Sequence, residues 1–379
     1  MLAVLVTAIG LIAYTFVGYP AIVAALSRVR PRPTRHDPGF EPTVSLIVAA
    51  YNEEDVIAWR LANIADLEYP ADRLQVIVVA DGSDDRTADL ARAVPGTTVL
   101  HRPERAGKRA AIERGVAAAD GELLVLTDAN NRFTRETMRA LVAPFADSAV
   151  GVVTGRKAID DGSGRPLDRA EGLYWRYESR IKRWESEIGC TTGVAGEILA
   201  FRRDAFNFVE PGTMNEDFVQ AMLAALDGWR VLYAPNAVSL ERASATLGDE
   251  AVRRSRLTTG RWQALRMLLP RLLRRRPLLA LQVISHKGLR PLVPFALIAA
   301  VLSNVGLAAD HRWARVLLLL QLMFYGAALL GWWLEAAGKR SRFLYVPYYF
   351  CRMHVAALNG FRDFATRRQE AVWAKVRRG

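Results

Sequence analysis

Residues 2–26, LAVLVTAIGLIAYTFVGYPAIVAAL, carry no charge over about the length a helix needs to cross a bilayer. A cleaved signal peptide would want a positive leading region and an apolar core of roughly 7–15 residues. This run is longer and has only the chain's own amino group ahead of it, so a retained span is expected. Arg28, Arg30, Arg32 and Arg35 follow at once, which by the positive-inside rule puts that flank in the cytosol. The Pro-rich stretch from Pro31 to Pro42 then reads as a stiff linker.

Two further apolar runs, about Leu289–Ala309 and Val316–Leu334, are joined by a turn with Asp310, His311 and Arg312, the pattern of an antiparallel helical hairpin. A third run, 343–360, holds Arg352, His354 and Asn359, which are costly at a bilayer centre, and reads as re-entrant or interfacial rather than as a fourth span. The expected organisation is a transmembrane helix at 1–27, a basic Pro-rich linker at 28–42 and a soluble domain at 43–250. Basic amphipathic helices at 251–286, a transmembrane hairpin at 287–336, the 343–360 helix and a basic cytosolic tail at 361–379 complete it.

Charge and composition remove several classes. Lys+Arg 51 against Asp+Glu 39 gives +12, but 51% hydrophobic residues is too apolar for a disordered or histone-like chain. Cys190 and Cys351 cannot build a disulfide framework or a zinc ribbon, and five histidines contain no HExxH pair. Residues 251–276 hold nine arginines and no acid, interleaved with leucines, and read as helices lying on anionic lipid. A nucleic-acid surface is the rival reading of so basic a stretch, and flanking spans favour lipid.

The soluble stretch is ample for one α/β domain. Val44–Ala50, Gln75–Ala80, Glu122–Thr127 and Val150–Thr154 are short continuous Val/Ile/Leu-rich runs, as in parallel strands buried on both faces. Helix-like stretches at 54–67, 86–93 and 107–119 separate the first three, a doubly wound pattern. No G-x-G-x-x-G or G-x-x-x-x-G-K-[ST] is present, so dinucleotide and P-loop phosphate sites are missing. Ligands in such sheets bind beyond the strands' carboxyl ends. There stand Tyr51-Asn52-Glu53-Glu54, Asp81-Gly82-Ser83-Asp84-Asp85 and Asp128-Ala129-Asn130-Asn131. Each alone is an ordinary turn or cap; three at one rim converge.

In order along the chain come A-x-N-E-E at 50–54, VVADGSDDRT at 78–87, GKRAAI at 107–112, TDAN at 127–130, GVAGEILAFRR at 193–203, NED at 215–217 and RW at 261–262. This series resembles the family 2 glycosyltransferases of GT-A fold, in the membrane-embedded branch of cellulose, hyaluronan and poly-N-acetylglucosamine synthases. The resemblance implies an α/β GT-A domain, Rossmann-like with a mostly parallel sheet, in the cytosol, with α-helical transmembrane segments. It also implies a UDP-sugar donor and a divalent cation, Mg²⁺ or Mn²⁺.

By that resemblance Ala50, Tyr51, Glu53, Asp81 and Lys108 belong to the nucleoside and phosphate site, with Arg261 forked onto the diphosphate. Asp128 and Asn130 replace the family's Asp-x-Asp as metal and donor ligands, the second carboxylate being an amide here; residues i and i+2 of an extended segment face the same way. Asp217 is the implied general base, with Glu216 beside it raising its pKa. Gly193, Phe201 and Trp262 are the implied acceptor contacts. Thr258 stands where the family's Gln-x-x-Arg-Trp has Gln.

The expected activity is inverting transfer of glucose or N-acetylglucosamine from a UDP-sugar to a growing β-linked polysaccharide at the cell membrane. Three spans make a sparse channel, so export would call on a homo-oligomer or a secretion partner. The alternatives are single addition to a lipid-linked acceptor and a non-catalytic membrane scaffold of the same fold.

Overall fold

A computed structural model describes residues 1–159, 166–242, 244, 246–339 and 341–367. The strands are β1 (Val44–Ala50), β2 (Leu74–Asp81), β3 (Thr97–Arg102), β4 (Leu123–Asp128), β5 (Arg132–Phe133), β6 (Val150–Ile159), β7 (Leu199–Arg202) and β8 (Arg230–Glu241). They form one sheet of order β3-β2-β1-β4-β7-β6-β8-β5. β1 runs parallel to β2 and β4, and β2 parallel to β3, while β7 is antiparallel to both β4 and β6. The register pairs Ala50 with Ala80 and Ala49 with Asp128. The three acidic loops therefore leave the sheet at one rim.

β3 lay outside the expected strands because Thr97–Arg102 is an edge strand, half exposed and without an apolar run. β7 and β8 have buried faces but follow no doubly wound repeat, so the fold is a mixed sheet rather than a purely parallel one.

Alternate residues of β1 feed the two faces. Ile47 packs with Ile77, Val79, Leu124 and Leu126 on one side, and Leu46 and Val48 with Val78 and Val125 on the other. The first face is covered by α4 (Lys108–Ala117), α7 (Glu216–Leu226) and α8 (Leu247–Arg275); the second by α2 (Ile57–Ala65) and α5 (Thr137–Val142). The short α3 (Thr87–Arg92) follows β2. Helix α8 starts at a capping box in which Thr246 and Asp249 satisfy each other's backbone N–H. Its Ala264, Leu265, Leu268 and Leu272 are buried in the sheet's core. Part of the basic stretch read as lying on lipid is thus a core-facing helix: Leu265, Leu268 and Leu272 meet the sheet, while Leu273 is exposed.

Among the described residues three helices are long and apolar enough to cross a membrane: α1 (Leu2–Val29), α9 (Pro277–Ala308) and α10 (Arg312–Ala336). The last helix, α11 (Arg342–Ala365), is not among them and packs along α8, where Thr259 Oγ1 donates to the Gly360 carbonyl at 2.9 Å. Helix α6 (Pro166–Glu187) joins the domain to the membrane helices. Its buried Glu185 accepts from Tyr19 of α1 and lies 2.9 Å from His286 Nδ1 of α9, while its Glu178 meets Lys287 and Arg290 of α9. Charges this deeply buried persist only when paired, so this junction fixes how the domain sits on α1 and α9.

The seating of α4 offers a test. A Cβ on Gly115 would lie 2.4 Å from Ile47 Cγ2 and 3.2 Å from Val79 Cγ2. Gly115→Ala is expected to cost about 1–3 kcal/mol through overpacking, read as a lowered denaturant midpoint; an unchanged midpoint would mean α4 is not pressed on the sheet as described.

Candidate active site

The loops after β1 and β2 are stitched to each other. Asn52, in the left-handed region at φ 52°, exchanges two hydrogen bonds with Asp84. The Asn52 N–H donates to Ser83 Oγ, that of Glu53 to Thr87 Oγ1 and that of Glu54 to Asp85. Most of the polar residues in these two motifs therefore build the rim rather than wait for a ligand.

Asp81 is 3% exposed at the end of β2. Its carboxylate accepts from the N–H groups of Ala106 and Gly107, at 3.2 and 2.6 Å, and pairs with Arg114 at 2.7 Å. It thereby holds the 103–107 loop that leads into Lys108. Gly82, at φ 69°, is obligatory beneath that loop, since an added Cβ would lie 2.6 Å from the Arg105 backbone. The Arg105 guanidinium lies 3.7 Å from the Tyr51 ring centroid.

A cavity opens between these loops and α8. Ala50, Tyr51, Glu53, Asp81, Lys108, Asp128 and Asn130, seven of the eight residues expected on the donor side, line it. Arg105, Arg242, Ser244, Arg253 and Arg256 complete the wall. The last four went unread because they sit at the end of β8 and in the basic stretch, whose arginines gave no signal separating site from lipid. Lys108 Nζ lies 2.5 Å from Asp128 Oδ1. Asn130 Oδ1 is buried and has no hydrogen-bond partner among the described residues.

A second cavity adjoins the first and shares Arg253 with it; Asp217, Asn215, Lys182 and Arg261 line this one. Arg261, expected on the donor side, lines the neighbouring cavity. Phe201 is fully buried in β7 against Phe206 and contacts neither cavity. Trp262 also leaves the site, packed at 5.5 and 6.2 Å on Phe361 and Phe364 of α11. An aromatic on a helix points where the helix face points, and the next residue along, Arg261, takes the cavity. Gly193 lies between Thr192 and Val194 of the cavity wall, and an added Cβ there would meet the Lys182 side chain at 3.0 Å.

Glu216 and Asp217 open α7, whose start is tied to α8 by Asn215 Nδ2 donating to the Leu257 carbonyl at 3.2 Å. Gly196 backs Asp217, because a Cβ there would sit 3.0 Å from Asp217 Oδ2. Burial pushes Glu216 up to about 7, against the downward pull of Lys108. Burial raises Asp217 as well, again opposed by Lys108 and by the Phe218 N–H that its carboxylate accepts at 2.8 Å. Burial would lower the Lys108 ammonium, but Asp128, Glu216 and Asp217 together raise it well above an ordinary lysine. One ammonium therefore couples the acidic rim to Asp217 of the second cavity and to the buried Glu216 beside it.

The donor rim suits a divalent cation in part. Among the described residues no group of three or more His, Cys, Asp or Glu side chains forms a metal cage. Asp128 and the unpartnered Asn130 oxygen supply two hard ligands on one wall, which fits a cation that takes its remaining ligands from a diphosphate.

The Gly82 geometry predicts that Gly82→Ala, by displacing the 103–107 loop, weakens nucleotide binding about tenfold or more while the domain stays folded. Calorimetric titration with UDP checks this; unaltered affinity would detach the loop from the donor site.

Residues 45–208 match the family described as Glycosyl transferase family 2. Beta-monoglucosyldiacylglycerol synthase of Nostoc sp. (strain PCC 7120) is 35% identical over 221 residues, 55% of this chain and 47% of its own length. Poly-beta-1,6-N-acetyl-D-glucosamine synthase of Staphylococcus aureus (strain MSSA476) is 25% identical over 225 residues, 57% of this chain and 54% of its own. The chain spans about half the length of these curated relatives. Among solved structures, mannosyltransferase PcManGT from Pyrobaculum calidifontis, in complex with GDP-Man and Mn2+, superposes with a TM-score of 0.73 at 26% identity, covering 97% of this chain and 100% of that one. With its mixed sheet and acidic carboxyl rim, the chain has a GT-A fold whose residues 45–208 match the family 2 glycosyltransferases.

Proposed function

We propose that the chain transfers a sugar, with inversion, from a nucleoside-diphosphate sugar in the first cavity to an acceptor hydroxyl in the second, at the cytosolic face of a membrane. The observation that carries this is the electrostatic cluster that joins Lys108 and Asp128 of the first cavity to Asp217 of the second, with the buried Glu216 next to it in sequence. UDP-glucose and UDP-N-acetylglucosamine are the donors we favour, in keeping with relatives named as glucosyl and N-acetylglucosamine synthases; the solved relative holds GDP-Man and Mn2+.

Asp217 takes the proton of the acceptor hydroxyl as that oxygen bonds to the anomeric carbon. The bond from that carbon to the diphosphate oxygen breaks on the opposite face, and the nucleoside diphosphate leaves with the electron pair. Lys108 faces the developing negative charge. Asp128 and Asn130 would hold Mg²⁺ or Mn²⁺, which when bound screens the diphosphate charge. Burial, with Glu197 and Asp128 nearby, keeps Asp217 from ionising as easily as an exposed carboxylate, so the base holds its proton more firmly once it has taken it.

Trp262 stacked on α11 favours single addition over polymerisation, because the flat platform expected for a growing glycan faces away from both cavities. Product length from labelled donor and membranes separates the two: one added unit is expected, and a ladder would restore the synthase reading.

Asp217→Asn is expected to lower turnover at least a thousandfold with UDP affinity nearly unchanged. A donor screen by nucleotide release, covering both UDP-sugars and GDP-mannose, identifies the substrate. Because the base must be ionised and its pKa is raised, kcat/KM is expected to climb with pH along a limb above the usual aspartate value of about 3.9. Stability has the opposite slope: with Glu216 at about 7 when folded and near 4.3 when unfolded, the folded state binds more protons between those values and loses stability as pH rises. Glu216→Gln should flatten that slope in denaturant titrations; an unchanged slope would place the acid in a wetter setting than described.

A further inference from the structure

The second cavity carries more cationic than anionic side chains, five Lys and Arg against three Asp and Glu. Most of these cations are already matched within the chain. Arg253 and Arg254 pair with Glu250 at 3.1 and 3.6 Å, and Lys287 with Glu178 at 3.3 Å. Lys182 and Arg261 are not matched: among the described residues neither makes an ion pair or a side-chain hydrogen bond. Lys182 is only 2% exposed, and its ammonium faces the rings of Trp175 and Tyr233 at 5.6 and 5.5 Å. Burial and the neighbouring Lys287 hold the Lys182 ammonium below an ordinary lysine, and Glu178 and Glu197 offset this only in part, so an added anion beside it would be favourable. Gly193 leaves the space both ammonium groups occupy, since a Cβ there would meet Lys182 Cε at 3.0 Å and Lys287 Nζ at 3.4 Å. The surrounding cations Arg290, Arg254 and Lys287 draw the Tyr174 phenol below its ordinary value although burial pushes it up, so the cavity has a positive field.

We propose that this cavity receives an acceptor bearing a phosphate group, held by Lys182 and Arg261 beside the hydroxyl whose proton Asp217 takes. The idea rests on the transferase reading above and narrows its acceptor to a class. Two geometric facts point to a phosphate and not a neutral glycan: the unmatched cations share a cavity with the base, and the flat sugar platform is turned away. Lys287 belongs to α9, one of the helices apolar enough to span a membrane, so the phosphate is either a lipid headgroup or part of a soluble acceptor.

The test uses the full chain in nanodiscs with UDP saturating the first cavity. Inorganic phosphate added to phosphatidylcholine nanodiscs is expected to raise Tm by a few degrees, as is replacing part of the phosphatidylcholine with phosphatidic acid. A shift with phosphatidic acid exceeding that with free phosphate assigns the lipid source; the reverse assigns a soluble one. In Lys182→Met the shift should vanish, while Tm without phosphate holds or rises because an unpaired buried charge has gone. Lys182→Arg should keep the shift, which guards against a folding defect in the first variant. Equal shifts in wild type and Lys182→Met, or none in wild type with either probe, overturn the proposal. UDP binding in the same samples separates the two readings. Its loss from wild type speaks against the transferase, whereas intact UDP binding with no phosphate response contradicts only the phosphate site.

Discussion

The Lys108 ammonium is the interaction on which the site depends. It lies 2.5 Å from Asp128 and is drawn up by Glu216 and Asp217 as well. Without a cation among them, three acids gathered from β4 and the start of α7 would repel one another in a poorly hydrated space. Much of the fold serves to place that one group. Asp81 grips the N–H groups of Ala106 and Gly107, Gly82 lets the loop come close, and Gly115 lets α4 lie flat on Ile47. The same lysine that holds these acids together is suited to meet diphosphate charge, so it serves stability and chemistry with one interaction.

The second dependence is on helix α8. Its leucines close the core over one face of the sheet, and its first turns present Arg253, Arg256 and Arg261 to the cavities. The same helix is gripped from outside by α11, through Thr259 and the close approach at Gly360. The glutamates of α6 anchor the domain to α1 and α9. The site is therefore assembled between the sheet and the long apolar helices.

How much of this was legible depends on how local each signal is. The central strands were readable because continuous apolar runs such as Val44–Ala50 admit few other uses, and the structure places that strand at the same bounds. The donor rim was readable because acidic loops after parallel strands converge by topology alone. The acid pair at 216–217 was legible only through resemblance, since nothing in its spacing shows that burial and Lys108 would act on it. The positions of Arg261, Trp262 and Phe201 could not be read for one reason: which way a side chain points depends on the helix or strand face, and here tertiary packing of α8 and β7 decided the face. The unmatched Lys182 had no sequence signal, because an isolated lysine in a charged helix reads as solvated until its partners are counted in space.

The most direct measurement of the central claim is the pH dependence of kcat/KM in wild type and in Lys108→Gln. Lys108 pulls the acids of the second cavity down, so removing its charge should move the ascending limb to higher pH, by about one unit or more for a close buried pair. A limb left in place, with only a uniform loss of rate, would show that Lys108 and the acids act separately and would contradict the shared cluster.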